Sequence, residues 1–282
     1  MTVATLQSLL STGGVQSAIQ RASLKTGVDF SYLLGQAQVE SSLRPDAKAP
    51  TSSASGLYQF VEQSWLGTVK QHGAEHGLGW AADKISQGAN GRYYVSDTAT
   101  RDYILKLRNN PEVASLMAAE HASDNKAELE ASLGREVGGA DLYMAHFLGI
   151  GGAKKFLSTL AGNPGAAAAQ LFPAAAASNR NIFFGEGGRA RSVSEIYDRF
   201  AAKLQRGAEI AAGGKELPPI AAPGKANPFQ LAMLERQQGG DYQGEVATLD
   251  QLLASADRPA SLFRPTPDNA KLAYMLLASM GA

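Results

Sequence analysis

Leucine, isoleucine, alanine and aromatic residues recur at intervals of three and four along almost the whole 282-residue chain, and sustained alternation at two is nearly absent. Residues with the first period line one side of an α-helix, whereas a half-buried strand needs the second. The chain is therefore expected to be all-α. A first helix is expected over about Leu6 to Leu24 unless Gly13 and Gly14 split it. A second starts after Asp29, a good N-cap, and stops before Pro45. Val61 to His72, with Val61, Trp65 and Val69 four apart, forms a third that Gly73 terminates. The glycine-rich stretch from His76 to Thr98 reads as loop. Thr100 to Arg108 follows, then a helix from Pro111 to about Leu133, with proline at its first position. Asp141 to Leu148 and Ala153 to Leu160 make two more, joined by GIGGA. NPGAAAAQLFP predicts a helix capped by Asn163 and broken at Pro173. Ser192 and Glu195 have capping-box spacing at the head of a helix carrying Ile196, Phe200 and Leu204.

Composition bounds the partners. Lysine plus arginine number 26 and aspartate plus glutamate also 26, so no bulk positive field draws nucleic acid or an anionic membrane. Cysteine is absent, which excludes disulfides, thiol nucleophiles and cysteine-ligated zinc. No apolar run approaches the roughly 20 residues a membrane-spanning helix needs. The first residues lack the basic start, apolar core and cleavage site of a standard secretory signal. From about Gly207 the composition shifts to alanine, glycine and proline. The expected division is an N-terminal helical segment over 1–27, a main helical domain over 28–206, a flexible linker over 207–228 and a small helical tail over 229–282. The tail carries short amphipathic pieces around Phe229 to Gln237 and Asn269 to Met280.

Glu40 is the first candidate for chemistry. Leu33, Ala37 and Glu40 stand at i, i+4 and i+7, which puts a carboxylate in register with core-facing residues. Burial disfavours the charged form, raises a carboxyl pKa and suits a general acid. The plainer alternative is a surface ion pair with Arg44 four residues on, although the proline after Arg44 pushes it out of helical geometry. His72-Gly73-Ala74-Glu75-His76 matches the H-x-x-E-H string of inverted zinc peptidases. Two zinc-binding histidines at that spacing need one helical face, and Gly73, Gly77 and Gly79 argue that the helix ends at the first. Exposed turn histidines without metal are expected there, and ordinary core or surface histidines at His121 and His146. No Walker-type phosphate loop and no G-x-S-x-G elbow occurs, and no cofactor is called for.

Four short stretches resemble the soluble, goose-lysozyme-like lytic transglycosylases that cleave bacterial peptidoglycan. Glu40-Ser41 matches that family's Glu-Ser pair, and Gly56-Leu57-Tyr58-Gln59 its Gly-Leu-Met-Gln with tyrosine for methionine. Ala145-His146-Phe147-Leu148-Gly149 falls where Ala-Tyr-Asn-x-Gly is usual, and Glu195-Ile196-Tyr197 resembles the final motif. The likeness spans about residues 28 to 204 and leaves out linker and tail. It implies a lysozyme-like helical domain and a lyase of the bacterial envelope that degrades murein. Glu40 would protonate the glycosidic oxygen between N-acetylmuramic acid and N-acetylglucosamine. It would then deprotonate the muramoyl C6 hydroxyl, which closes on C1 to leave a 1,6-anhydro end, without the second carboxylate of most glycosidases. Ser41 would bond sugar or order Glu40, Gln59 would bind an N-acetyl group or line the cleft, and Tyr197 would hydrogen-bond Glu40. Tyr58 and His146 depart from the family and would line the substrate site.

Two other outcomes stay open: a silent peptidoglycan-binding or envelope-assembly protein, and a muramidase hydrolysing the same bond. The substrate implies the periplasm or cell envelope, reached either by another export route or by a chain that is a processed form. The amphipathic tail suggests docking to a secretion, flagellar or phage apparatus.

Overall fold

A computed structural model describes residues 3–50, 52–217 and 220. All of them belong to the first of the chain's two units, Met1–Met233, and the second, Leu234–Ala282, lies outside them. Most described residues are helical. In chain order the elements are α1 (Val3–Thr26), α2 (Phe30–Ser41), α3 (Glu62–His72), α4 (Gly79–Lys84), the strands β1 (Ser86–Gln87) and β2 (Tyr93–Tyr94), α5 (Thr98–Lys106), α6 (Pro111–Leu133), α7 (Gly139–Gly162), α8 (Ala168–Leu171), α9 (Pro173–Ser178), α10 (Arg180–Phe183) and α11 (Val193–Ala211). Among the described residues no helix is long and apolar enough to cross a membrane.

The caps explain most boundaries. Asp29 accepts from the Tyr32 N–H at 2.8 Å and starts α2. Asn110 accepts from both Glu112 and Val113 ahead of Pro111. Ser192 and Glu195 close a reciprocal capping box on α11. Gly13 and Gly14 do not split α1. The His76–Thr98 stretch, expected to be loop, contains α4 and an antiparallel pairing of β1 with β2. After Asn163 the chain turns, and helix returns only at Ala168. The expected pair of helices around GIGGA is present within α7, where the φ of 70° and ψ of 164° at Gly149 interrupt the helix.

Four packed faces position the site: α2 against α11, α1 against α6, and α7 against both α6 and α11. Alanines at 114, 118, 119 and 122 are buried along α6, and small side chains there let neighbouring helices approach closely. Trp65 is fully buried and donates its indole N–H to the Ile104 carbonyl at 2.8 Å, so this large ring meets the polar requirement of burial. Helices α2 and α11 approach closely. A β-carbon on Gly35 would lie 2.6 Å from the Leu204 carbonyl oxygen, and one on Gly207 would lie 3.1 Å from the Gly35 carbonyl oxygen.

Gly207 was expected to open the linker. The structure instead continues α11 to Ala211. Ala208, Ala211 and Leu217 are buried, and the Gln205 side chain receives the Ile220 N–H and donates to the Leu217 carbonyl. Gly207 marks a tight helix crossing rather than a chain breaker, which is why composition alone misplaced the boundary. The rest of the expected linker, apart from Ile220, and the tail with both amphipathic pieces lie outside the described residues.

Candidate active site

Glu40 occupies the last turn of α2. Leu33 and Ala37 on its stripe are fully buried, and they carry Glu40 to the edge of the core, where its side chain keeps 18% of its exposure. The helix does not run on to Pro45. Ser42 and Leu43 adopt left-handed backbone, with φ of 54° and 59°, and their N–H groups return to the Gln38 and Ala37 carbonyls. A left-handed conformation costs a non-glycine residue about 1 kcal/mol. The chain carries that cost twice immediately after Glu40, and buried Leu43 anchors the reversal. Arg44 donates to the Ser41 carbonyl at 3.1 Å, so the helical Glu40–Arg44 spacing is gone.

The partners of Glu40 come from distant sequence. Tyr143 on α7 donates its hydroxyl to Glu40 Oε1 at 2.7 Å. His146, one turn along α7, places Nε2 3.5 Å from the same oxygen, with its ring 25% exposed. The Tyr143 ring packs between those of His146 and Phe200, with centroids 5.8 and 5.1 Å away. Burial is the largest single influence on the Glu40 carboxyl and pushes its pKa up. His146, Tyr143 and the charge of Lys203 on α11 together outweigh it, so the net displacement is below the usual carboxylate value. This reverses the expected direction, because the sequence shows a carboxyl in core register but not the donors folded over it. Burial and the neighbouring Glu40 push the Tyr143 phenol up, keeping it a donor.

Several expected roles fall elsewhere. Tyr197 donates to Asp141 Oδ1 at 3.1 Å rather than to Glu40. Asp141 also accepts from both terminal nitrogens of Arg135 and from the Gly138 N–H, so Tyr197 belongs to the network that fastens the start of α7. Ser41 is buried and returns its hydroxyl to the Ala37 carbonyl at 3.0 Å, which withdraws it from sugar and from the carboxyl. Tyr58 is also buried, its hydroxyl 3.5 Å from that of Ser115, and it serves as a wall. Gln59 spends its amide N–H groups on the Ala47 and Gly56 carbonyls at 3.1 and 2.8 Å. At φ of 48° it is the third described non-glycine residue in left-handed backbone. Gln59 therefore braces the loop between α2 and α3.

Arg108, which carried no expectation, is the other brace. Its Nη1 donates to the Ser53 and Phe60 carbonyls at 2.7 and 2.9 Å, and its Nε to Leu105. The Arg108 carbonyl lies so close to Gly56 that a β-carbon there would sit 2.0 Å from it. Gly56 also has a φ of 82°, so glycine is required twice over.

Beneath His146 lies a recess lined by Tyr32, Gln36, Tyr58, Phe60, His121 and Asn125, with alanines of α6. Its volume is about 10 Å³, on the order of a single water molecule. The Gln36 side-chain oxygen is buried and lacks a hydrogen bond among the described residues, a polar demand that a water would meet. Burial first, and the charge of His146 second, push His121 down to about 4, so its imidazole is neutral at physiological pH. The recess is far smaller than a sugar ring, and a substrate would meet Glu40 at its exposed edge.

No protein-family model matches the chain. The functional reading therefore rests on the geometry around Glu40 and on the motif resemblance.

Proposed function

We propose that this chain is a lysozyme-like lytic transglycosylase of the bacterial envelope, with Glu40 as acid and then base on peptidoglycan. The observation that carries the reading is the placement of that one carboxyl. It is largely withdrawn from water at a helix end, with Tyr143 and His146 both directed at Oε1. Oε2 is left for the exchanged proton. From Oε2 the proton passes to the bridging oxygen as the bond from C1 of N-acetylmuramic acid breaks. The carboxylate then takes the proton of the C6 hydroxyl while that oxygen bonds to C1. Charge on the sugar ring is met by site dipoles and substrate groups, so no second carboxylate is needed.

Protonation before the first step is the demanding part, since the net push on free Glu40 is downward. A glycan strand covering the exposed edge removes water from Glu40 and Lys203 and adds to burial, already the largest influence. His146 lies within reach of the same oxygen.

The reading is tested by incubating the chain with purified sacculi and weighing the released muropeptides. Anhydro ends, one water lighter than hydrolysed ones, are expected. Hydrated reducing ends would make the protein a muramidase, and binding without release would make it a silent wall-binding protein.

A further inference from the structure

His72 closes α3, and His76 lies in the single 3-10 turn that follows, Gly73–His76. The helix ends where the glycines predict, so the two histidines do not share a helical face. Both nevertheless meet carboxylates of α6, where Glu120 and Asp124 stand one turn apart. His76 Nε2 is 2.7 Å from Glu120 Oε1. His72 Nε2 is 2.8 Å from Asp124 Oδ2, while its Nδ1 lies 3.6 Å from Glu120 Oε2. Glu75 joins them: one ligand atom from each of Glu75, His76 and Glu120 falls within 4.8 Å of the others. The expectation of exposed turn histidines is corrected here, since the side chains of His72 and His76 keep only 13% and 5% of their exposure.

Two features exceed what an ion-pair cluster requires. His76 Nδ1 is buried with no hydrogen-bond partner among the described residues, a desolvation cost that an ion coordinated by Nδ1 itself would offset. His72 is gripped by Asp124 on one ring nitrogen, and the other faces Glu120 at a separation beyond hydrogen-bond length. A carboxylate holding one imidazole nitrogen so that the other faces an ion is the usual support of a metal-ligating histidine. A tetrahedral ion with bonds of roughly 2.0–2.2 Å keeps its ligand atoms about 3.3–3.6 Å apart; the ligand atoms of Glu75, His76 and Glu120 all lie within 4.8 Å of one another, and the 2.7 Å hydrogen bond between His76 and Glu120 opens as the ion enters.

We propose that Glu75, His76 and Glu120, whose ligand atoms already lie together, form a binding site for a divalent metal of the zinc class, completed on ion entry by the neighbouring His72, which Asp124 orients. Two imidazoles and two carboxylates suit zinc, whereas magnesium and calcium prefer oxygen alone. With His72 drawn in, four protein ligands leave no open position, and the ion is structural. It fastens the end of α3 and the turn after it onto α6, and exposed Glu75 gives it a way in from solvent. None of these residues lines the recess beside Glu40, and the inference does not depend on the transglycosylase reading.

The test is calorimetric titration of the tag-free, chelator-treated full chain with zinc chloride, with magnesium and calcium chloride in parallel. One zinc per chain and a raised Tm are expected, with no comparable effect of the other two. Asp124→Asn should weaken zinc binding by roughly 10–100-fold, and His76→Gln by at least as much. Circular dichroism reports whether each variant folds. Cobalt(II) added to the wild type needs no variant, and tetrahedral absorption bands are expected in place of the spectrum of the hydrated ion. Absence of zinc binding, unchanged affinity in a folded His72→Gln/His76→Gln double variant, or an unaltered hydrated-cobalt spectrum overturns the proposal.

Discussion

At Glu40, burial pushes the proton on, and His146, Tyr143 and Lys203 pull it off. Replacing His146 with glutamine removes its charge-based pull and leaves burial less opposed, so the Glu40 pKa should rise. The proposed acid step needs protonated Glu40, so kcat/KM should fall as pH climbs through that pKa. The descending limb of the pH profile should therefore move to higher pH in His146→Gln. An unmoved limb would mean that the imidazole does not set the proton on Glu40. The candidate carboxyl was legible because Leu33, Ala37 and Glu40 share a helical stripe. Its tyrosine partner was not. Tyr143 and Tyr197 both lie on α-helices beside the site, and local periodicity is silent on which hydroxyl crosses a 103-residue separation to reach Glu40. Only the α7 packing decides that Tyr143 takes Glu40 and Tyr197 takes Asp141.

The crossing of α2 and α11 sets where Glu40 stands, because α11 carries Lys203 and Phe200 to the same place that α2 carries the carboxyl. Gly35 and Gly207 let the two backbones approach. Gly35→Ala would press a methyl group onto the Leu204 carbonyl at 2.6 Å and should cost about 1–3 kcal/mol through overpacking. Chemical denaturation measures this, and a loss below about 0.5 kcal/mol would show that the crossing relaxes freely. Helix existence was readable wherever a start signal and a stripe coincided, as at Asp29, Pro111 and Ser192. It was misread where side chains far away decide. The hairpin of β1 and β2 is held by the Gln63 side chain, bonded to the backbone of Tyr93 on both its oxygen and its nitrogen. No local pattern announces that clasp.

Over the whole molecule, the folded body reaches past the composition shift at Gly207. A chain ending at residue 206 would lose the buried side chains of Ala208, Ala211 and Leu217 and the hydrogen bond from Gln16 to the Ala211 carbonyl. Burial of one leucine contributes roughly 1.5–3 kcal/mol, so its Tm should fall by roughly 4–10 °C relative to a chain ending at residue 220. Equal melting of the two would return the boundary to where composition put it. The all-α class followed from one period repeated along the chain, whereas the metal cluster on α3 and α6 and the donors on Glu40 depend on which helices meet. The central claim is that a single carboxyl performs both proton transfers. Release of anhydro muropeptides from purified sacculi by wild type and by folded Glu40→Gln tests it most directly. Release by the wild type and a fall of roughly 10²–10⁴-fold in the variant are expected, and equal release by the two proteins would rule out Glu40 as the proton donor.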